Sequence, residues 1–199
     1  VKGLDTAQIT TGKAQDIVDA GFEAVGIYLR EDRAPKEMVD ELLSVGLQIW
    51  SIYEKGRPIE TGYFSTEQGE IDGDRAVAYA NVLGQTSGSQ IYATADYDPS
   101  EDDVNGPITD YMTAFHAKVR AAGYLASIYS SGRCCRMLIE KGIAHTGWLS
   151  ESTGFAEHED FTPNASIVQS VGSTHTGLNA DLDDIPDPVV AGLWTAGGA

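Results

Sequence analysis

Ile91-Tyr92-Ala93-Thr94-Ala95-Asp96-Tyr97-Asp98-Pro99 begins as an uncharged run of β-branched, aromatic and small residues and ends in two carboxylates and a proline. The first half reads as a buried strand. Side chains alternate along a strand, so Asp96 and Asp98 are expected on one side, with Cα atoms roughly 6.5 Å apart at ~3.3 Å per residue. Pro99 donates no backbone hydrogen bond and closes the strand. Two acids on one face at the carboxyl end of an apolar strand cost desolvation and mutual repulsion, and chains keep such arrangements more readily for chemistry than for packing. The competing reading is a helix start, in which Asp98 or Ser100 caps the next helix and Glu101 and Asp102 favour its positive end.

Upstream of this stretch, strands are expected at 1–6, 22–29 and 47–53, with helices at 11–20 and from Pro35 to the stop at Gly46. A long loop at 55–69 leads to a helix at 72–83. Downstream, apolar residues at 3–4 residue steps make 104–122 read as one long helix. Strands at 124–129 and 145–150 flank a helix at 131–141. After a second long loop at 151–164, segments 165–170 and 178–182 read as strands seven and eight, with little helix between or after them. Repeated alternation of apolar strand and helix is the pattern of a parallel sheet covered by helices. Eight strands, parallel or nearly so, predict an α/β fold: a TIM-like (β/α) barrel with reduced C-terminal helices. The alternative is a doubly wound open sheet. No GxGxxG or P-loop pattern follows any strand.

The 199 residues show no break in composition, so a single domain spanning 1–199 is expected. No apolar run approaches the ~20 residues of a membrane span, and the formal charge of −17 argues against nucleic acid and anionic lipid as partners. No signal peptide is visible at Val1-Lys2-Gly3-Leu4-Asp5, and the missing initiator Met reads as a trimmed domain, which leaves export of the parent open. Cys134 and Cys135 are adjacent, provide no disulfide framework and lack metal-ligand spacing. They are expected to be reduced helix residues without a catalytic role. His116 reads as a packing residue of a helix, and His158 and His175 as loop residues without ligand spacing. Ser130-Ser131-Gly132 forms no nucleophile elbow. No metal and no cofactor are expected.

The carboxyl ends of the expected strands carry Asp5, Glu54, Asp96 with Asp98, Ser130, Trp148 with Ser150, Gln169, and Asp181 with Asp183. Barrel chemistry is built on that rim, where loops from every strand converge. Acids and aromatics without a cysteine or histidine cluster suit sugar hydrolysis, which needs a carboxylic acid to protonate the leaving oxygen and an anion to steady an oxocarbenium-like state. Trp50, Tyr53, Tyr63, Phe64, Tyr97 and Trp148 offer stacking faces for sugar rings, with core packing the better reading for Trp50.

Gly3-Leu4-Asp5, Ile52-Tyr53-Glu54, Ile91 to Asp98, Gly123-Tyr124, Trp148-Leu149, Val168-Gln169 and Gly192-Leu193-Trp194 together resemble the glycoside-hydrolase-like domain formerly of unknown function. That family is related to the family 25 lysozymes, which cleave peptidoglycan with a partly closed barrel of eight strands. The lysozymes carry Asp-x-Glu on strand four, the Glu as general acid. This chain has Asp96-Tyr97-Asp98, one methylene shorter at the acid position. Asp5 matches their first-strand Asp, and Asp181 or Asp183 their last-strand Asp.

The resemblance implies a peptidoglycan hydrolase, in particular a muramidase, with Asp98 as acid and Asp96 as the anion that orients the substrate's N-acetyl group or stabilises the cation. Glu54 and Asp5 would tune their pKa values or hold the sugar. Tyr53, Tyr97, Trp148, Gln169, Asp181 and Asp183 would bind the glycan. The expected partner is peptidoglycan or a related glycan, the expected state a monomer, and the expected location secreted or at the cell envelope, with a phage derivation open. Two other classes stay open: a catalytically silent glycan-binding module, and a docking domain of a phage or secreted assembly.

Overall fold

The computed structural model describes residues 1–197, with the backbone alone for 173–175. Eight strands close into a barrel in chain order: β1 (Lys2–Asp5), β2 (Ala24–Tyr28), β3 (Gln48–Tyr53), β4 (Gln90–Thr94), β5 (Leu125–Ser130), β6 (Gly147–Leu149), β7 (Ile167–His175) and β8 (Leu178–Asp184). Neighbours from β1 to β7 are parallel. β8 is antiparallel to both β7 and β1, which corrects the expectation of eight parallel strands. Only Thr176 and Gly177 join β7 to β8. Two residues close a hairpin, whereas a parallel return needs a crossover of a dozen or more. β7 also runs past Ser170, through a bulge at Ser170–Ser173 where a Cβ on Gly172 would collide with the Ala180 carbonyl.

Helices cover the outside: α1 (Ala14–Asp19), α2 (Lys36–Ser44), α3 (Thr66–Leu83), α4 (Glu101–Asp103), α5 (Thr109–Ala121), α6 (Gly132–Glu140) and α7 (His158–Phe161). α3 starts earlier than periodicity suggests, because Ser65 Oγ accepts from the Gln68 amide at 3.1 Å and caps it. The expected loop at 55–69 is shortened accordingly. The segment 104–122 is not one helix. A π turn at Val104–Ile108 separates α4 from α5, with Gly106 at φ −103° and ψ −106° ahead of Pro107, which has no N–H for the helical ladder.

Two apolar layers follow from the alternation of the strands. Leu4, Ile49, Ile91, Ala93, Ile128 and Leu149 face outward to helix residues such as Met112, Phe115 and Leu138. Trp50, Ile52, Tyr92, Tyr129, Trp148 and Ile167 fill the barrel. Trp50 and Trp148 meet edge to face at 6.0 Å. Room for them comes from a missing side chain: a Cβ on Gly26 would lie 2.6 Å from the Trp50 ring.

The C-terminal segment plugs the amino-terminal end of the barrel. Trp194 Nε1 donates to Ser51 Oγ at 3.1 Å, Gln90 Nε2 to the Val190 carbonyl at 2.6 Å, and Tyr92 Oη to the Ala191 carbonyl at 2.9 Å. The carboxyl ends of the parallel strands β1–β7 are left as the open mouth, with β8 running back from it.

Candidate active site

Glu54 directly follows β3, Asp96 lies two residues beyond β4, Glu151 two beyond β6, and Asp181 sits within β8 opposite Asp5. These four acids, with Tyr28, Thr94, Tyr129, Trp148 and Gln169, line a cavity of about 200 Å³ at the barrel mouth. No lysine or arginine lines it. Below the cavity the polar groups form a connected floor. Tyr129 Oη donates to Gln169 Oε1 at 2.8 Å, and Gln169 Nε2 donates to Asp5 Oδ2 at 2.9 Å. Trp148 Nε1 donates to Asp183 Oδ1 at 2.9 Å, and Asp183 is in hydrogen-bond contact with Asp5.

Two carboxyls in contact inside a barrel cannot both be ionised at moderate cost. Asp183 is fully enclosed, and burial first, then the charge of Asp5, pushes its pKa far up. It therefore holds the proton and donates it to Asp5. Asp5 is raised to about 6, by burial foremost and by Asp181 and Glu54, while hydrogen bonds from Gln169 and Asp183 pull it back.

At the mouth the same physics is milder. Glu54, half-buried, is raised by burial and then by the charge of Asp96; the Thr94 hydroxyl and Arg30 partly offset this. Asp96 is exposed at the cavity edge, yet the surrounding walls strip enough water to raise it, with Asp181 adding repulsion. Glu151 and Asp181 are raised as well, by burial first. Crowded acids shifted upward by burial and mutual repulsion are the setting in which one carboxyl can serve as acid beside a charged neighbour, the division of labour acid-catalysed glycoside cleavage requires.

The structure separates the expected site residues into three groups. Glu54, Asp96, Trp148, Gln169 and Asp181 line the cavity, and Asp5 with Asp183 lies beneath it. Asp98 is elsewhere. β4 ends at Thr94, the Asp96 amide donates to the Pro58 carbonyl, and Ser100 turns the chain into α4 with a capping box. Alternation holds only along a paired strand, so the two acids do not share a face. Asp98 is exposed, outside the cavity lining, and its Oδ1 accepts from the Ala156 amide at 3.2 Å.

Tyr53 and Tyr97 also lie outside the mouth. Tyr53 points outward from β3 and donates to Asp72 of α3 at 2.9 Å. Tyr97 stacks on Phe64 at 6.2 Å. Trp148 reaches the cavity from within the core, 2% exposed, rather than as an open stacking face. Tyr28, Tyr129 and Glu151 complete the lining without having been singled out in the sequence. The two tyrosines stand at or near the ends of β2 and β5, where the strand-end rule points. Glu151 lies in a loop with no periodicity to mark it. His116 is a packing residue, its Nδ1 2.6 Å from the Ile143 carbonyl. His158 opens α7 instead of lying in a loop, its Nε2 3.1 Å from the Ser150 carbonyl, and His175 ends β7 by its backbone. Among the described residues no group of three His, Cys, Asp or Glu is arranged to hold a metal ion.

Barrel, plugged base and acidic mouth define a glycoside-hydrolase-like domain. Residues 15–191 match the family described as Rv2525c-like, glycoside hydrolase-like domain, and the chain belongs to that family. FadG of Bacillus subtilis (strain 168) is 27% identical over 201 residues, covering 94% of this chain and 34% of its own length. This chain thus spans about a third of that relative. Among solved structures, the Tat-secreted protein Rv2525c of Mycobacterium tuberculosis superposes with a TM-score of 0.80 at 21% identity, covering 98% of each chain. The modular autolysin LytC of Streptococcus pneumoniae, in complex with a synthetic peptidoglycan ligand, superposes with a TM-score of 0.60 at 14% identity, over 92% of this chain and 46% of that one.

Proposed function

We propose that this domain hydrolyses glycosidic bonds of peptidoglycan, as a muramidase cutting the β-1,4 link after N-acetylmuramic acid. Glu54 acts as the acid and Asp96 as the neighbouring anion. The observation that carries the assignment is the pairing in one cavity of Glu54, half-buried and raised in pKa by burial and then by the charge of Asp96, with Asp96 itself at the open edge. Asp98, the residue at the lysozyme acid position, hydrogen-bonds a loop amide outside the cavity, so the acid role moves to the adjacent strand. Asp5, Gln169, Tyr129 and Asp183 hold the floor beneath the sugar, and Asp181 faces the cavity from β8. The fold likeness to LytC, which binds a peptidoglycan ligand, supports the substrate class, and the likeness to a Tat-secreted protein supports action outside the cytoplasmic membrane. No helix among the described residues is long and apolar enough to cross a membrane.

A second reading, a silent glycan-binding module, is favoured by one feature: the strand-four acid of the lysozymes has no carboxylate in its place facing the cavity. Release of reducing ends from purified peptidoglycan, with muropeptides resolved by mass spectrometry, separates the two. Turnover that falls at least ~100-fold in Glu54→Gln supports the hydrolase. Retention of the glycan without any release by the unaltered protein supports the binding module.

A further inference from the structure

A cavity of about 590 Å³ opens outside the mouth. It lies on the flank of the barrel between the segment after β2 and helix α3. Leu29, Ala78 and Val82 form an aliphatic wall, and Val82 is 54% exposed, a large apolar side chain left in water. Arg30, Lys55 and Arg75 border the same space. In a chain with a formal charge of −17 and only 13 lysines and arginines, three cations around one groove are a local reversal of sign.

Their availability differs. Arg30 is held by Asp32 at 2.8 Å, and Glu31 and Asp32 supply the only acids of the lining. Arg75 has its nearest carboxylate, Asp72, at 3.9 Å. Asp72 already accepts from Tyr53, Tyr63, Tyr111 and Gln68, so its ion pair with Arg75 is long, and of the five guanidinium donors only those turned to Asp72 and Tyr53 are engaged. Lys55 makes no ion pair among the described residues. Lys55 also follows Glu54 directly, and Arg30 is close enough to act electrostatically on Glu54, so the groove starts where the mouth ends.

We propose that this groove binds a short acidic peptide carried by the glycan in the mouth, its carboxylates set against Lys55 and Arg75 and its small apolar side chains against Leu29, Ala78 and Val82. The inference rests on the glycan-hydrolase reading for the source of the peptide, and on the groove alone for its chemistry. A sugar chain is a poorer occupant. The two tyrosines of the lining have committed hydroxyls, Tyr53 donating to Asp72 and Tyr79 to the Ala34 carbonyl at 2.9 Å, so neither offers a free donor to a sugar.

The test is equilibrium binding of N-acetylmuramyl-alanyl-glutamate, compared with the same compound amidated at both carboxylates, to the protein and to a Lys55→Ala/Arg75→Ala variant. Both side chains are solvent-accessible, and a thermal melt establishes that the variant folds. The free acid is expected to bind roughly three- to tenfold more tightly than the amide, the range that two exposed ion pairs supply, and the preference is expected to fade above ~0.15 M salt. It is expected to vanish in the double variant. Equal binding of acid and amide, or a preference that survives in the variant, overturns the proposal. Cleavage of wall glycan without any acid preference removes the groove and leaves the hydrolase. Acid preference with no glycan bond ever cleaved removes the hydrolase and leaves the groove.

Discussion

Asp98 accepts a hydrogen bond from the backbone amide of Ala156 at 3.2 Å, tying the chain after β4 to the loop after β6. That loop carries Glu151 into the mouth. Asn keeps the acceptor oxygen and Ala does not. Asp98→Asn is therefore expected to leave turnover on peptidoglycan within about threefold, while Asp98→Ala lowers stability by about 1 kcal/mol through the lost bond. Reducing-end assays and denaturant melts on the two variants check this. A loss of ~100-fold in Asp98→Asn returns the acid role to Asp98.

Asp5 gives the stability of the domain a pH dependence of known sign. Its pKa rises from 3.8 unfolded to about 6 folded, so the folded state binds the proton more tightly. The resulting stabilisation is complete below pH 3.8 and is lost as pH rises through about 6. Relative to Asp5→Asn, the parent protein is expected to lose up to about 3 kcal/mol between pH 4 and pH 7. Chemical denaturation at both pH values measures the difference, and parallel curves for parent and variant refute it.

Asp72 is a carboxylate at 0% exposure that accepts from three tyrosines and a glutamine. Tyr53 immediately precedes Glu54, and Tyr63 also reaches the Lys55 carbonyl at 2.5 Å, so the network grips both neighbours of Glu54. Asp72→Ala leaves the buried hydroxyls of Tyr53 and Tyr111 without an acceptor. It is expected to cost about 3 kcal/mol, against about 1 kcal/mol for Tyr111→Phe, which removes one donor of four. Urea unfolding of both variants tests the ordering; a larger loss in Tyr111→Phe contradicts it.

Cys134 and Cys135 are fully enclosed thiols of α6, and burial pushes Cys134 up to about 12 and raises Cys135 as well. A thiolate is the reactive form, so neither reacts at neutral pH. Native protein is expected to be inert to a thiol-specific reagent for hours and to release two equivalents of reactive thiol on denaturation. Rapid labelling of the native state counts against the buried assignment.

The β8 hairpin, the π turn and Asp98 mark where reading along the chain stops working. Apolar runs ending in glycine-stopped helices place the seven parallel strands, because burial on both faces leaves a local signature in each strand. The direction of β8 depends on the length of one turn, and β7 hides that length by continuing through a bulge. Pro107 was visible, yet the apolar period ran across it and outweighed the missing donor.

Of the mouth and its floor, Asp5, Glu54 and Gln169 were legible because each sits in or next to a paired parallel strand, where position along the chain sets the direction of the side chain; Asp181, expected at the carboxyl end of a parallel strand, reaches the mouth instead because antiparallel β8 sets it opposite Asp5. Asp96 and Asp98 lie past the last β4 pair, and there the Pro58 carbonyl, the Ala156 amide and the cap at Ser100 decide direction instead. The alternation of apolar strands and stopped helices favoured a barrel over an open sheet and gathered acids at the strand ends. Which acids share a cavity, and which are pushed up in pKa by burial there, depends on contacts such as Asp5 with Asp183 between residues far apart in the chain, and so comes from the folded structure alone.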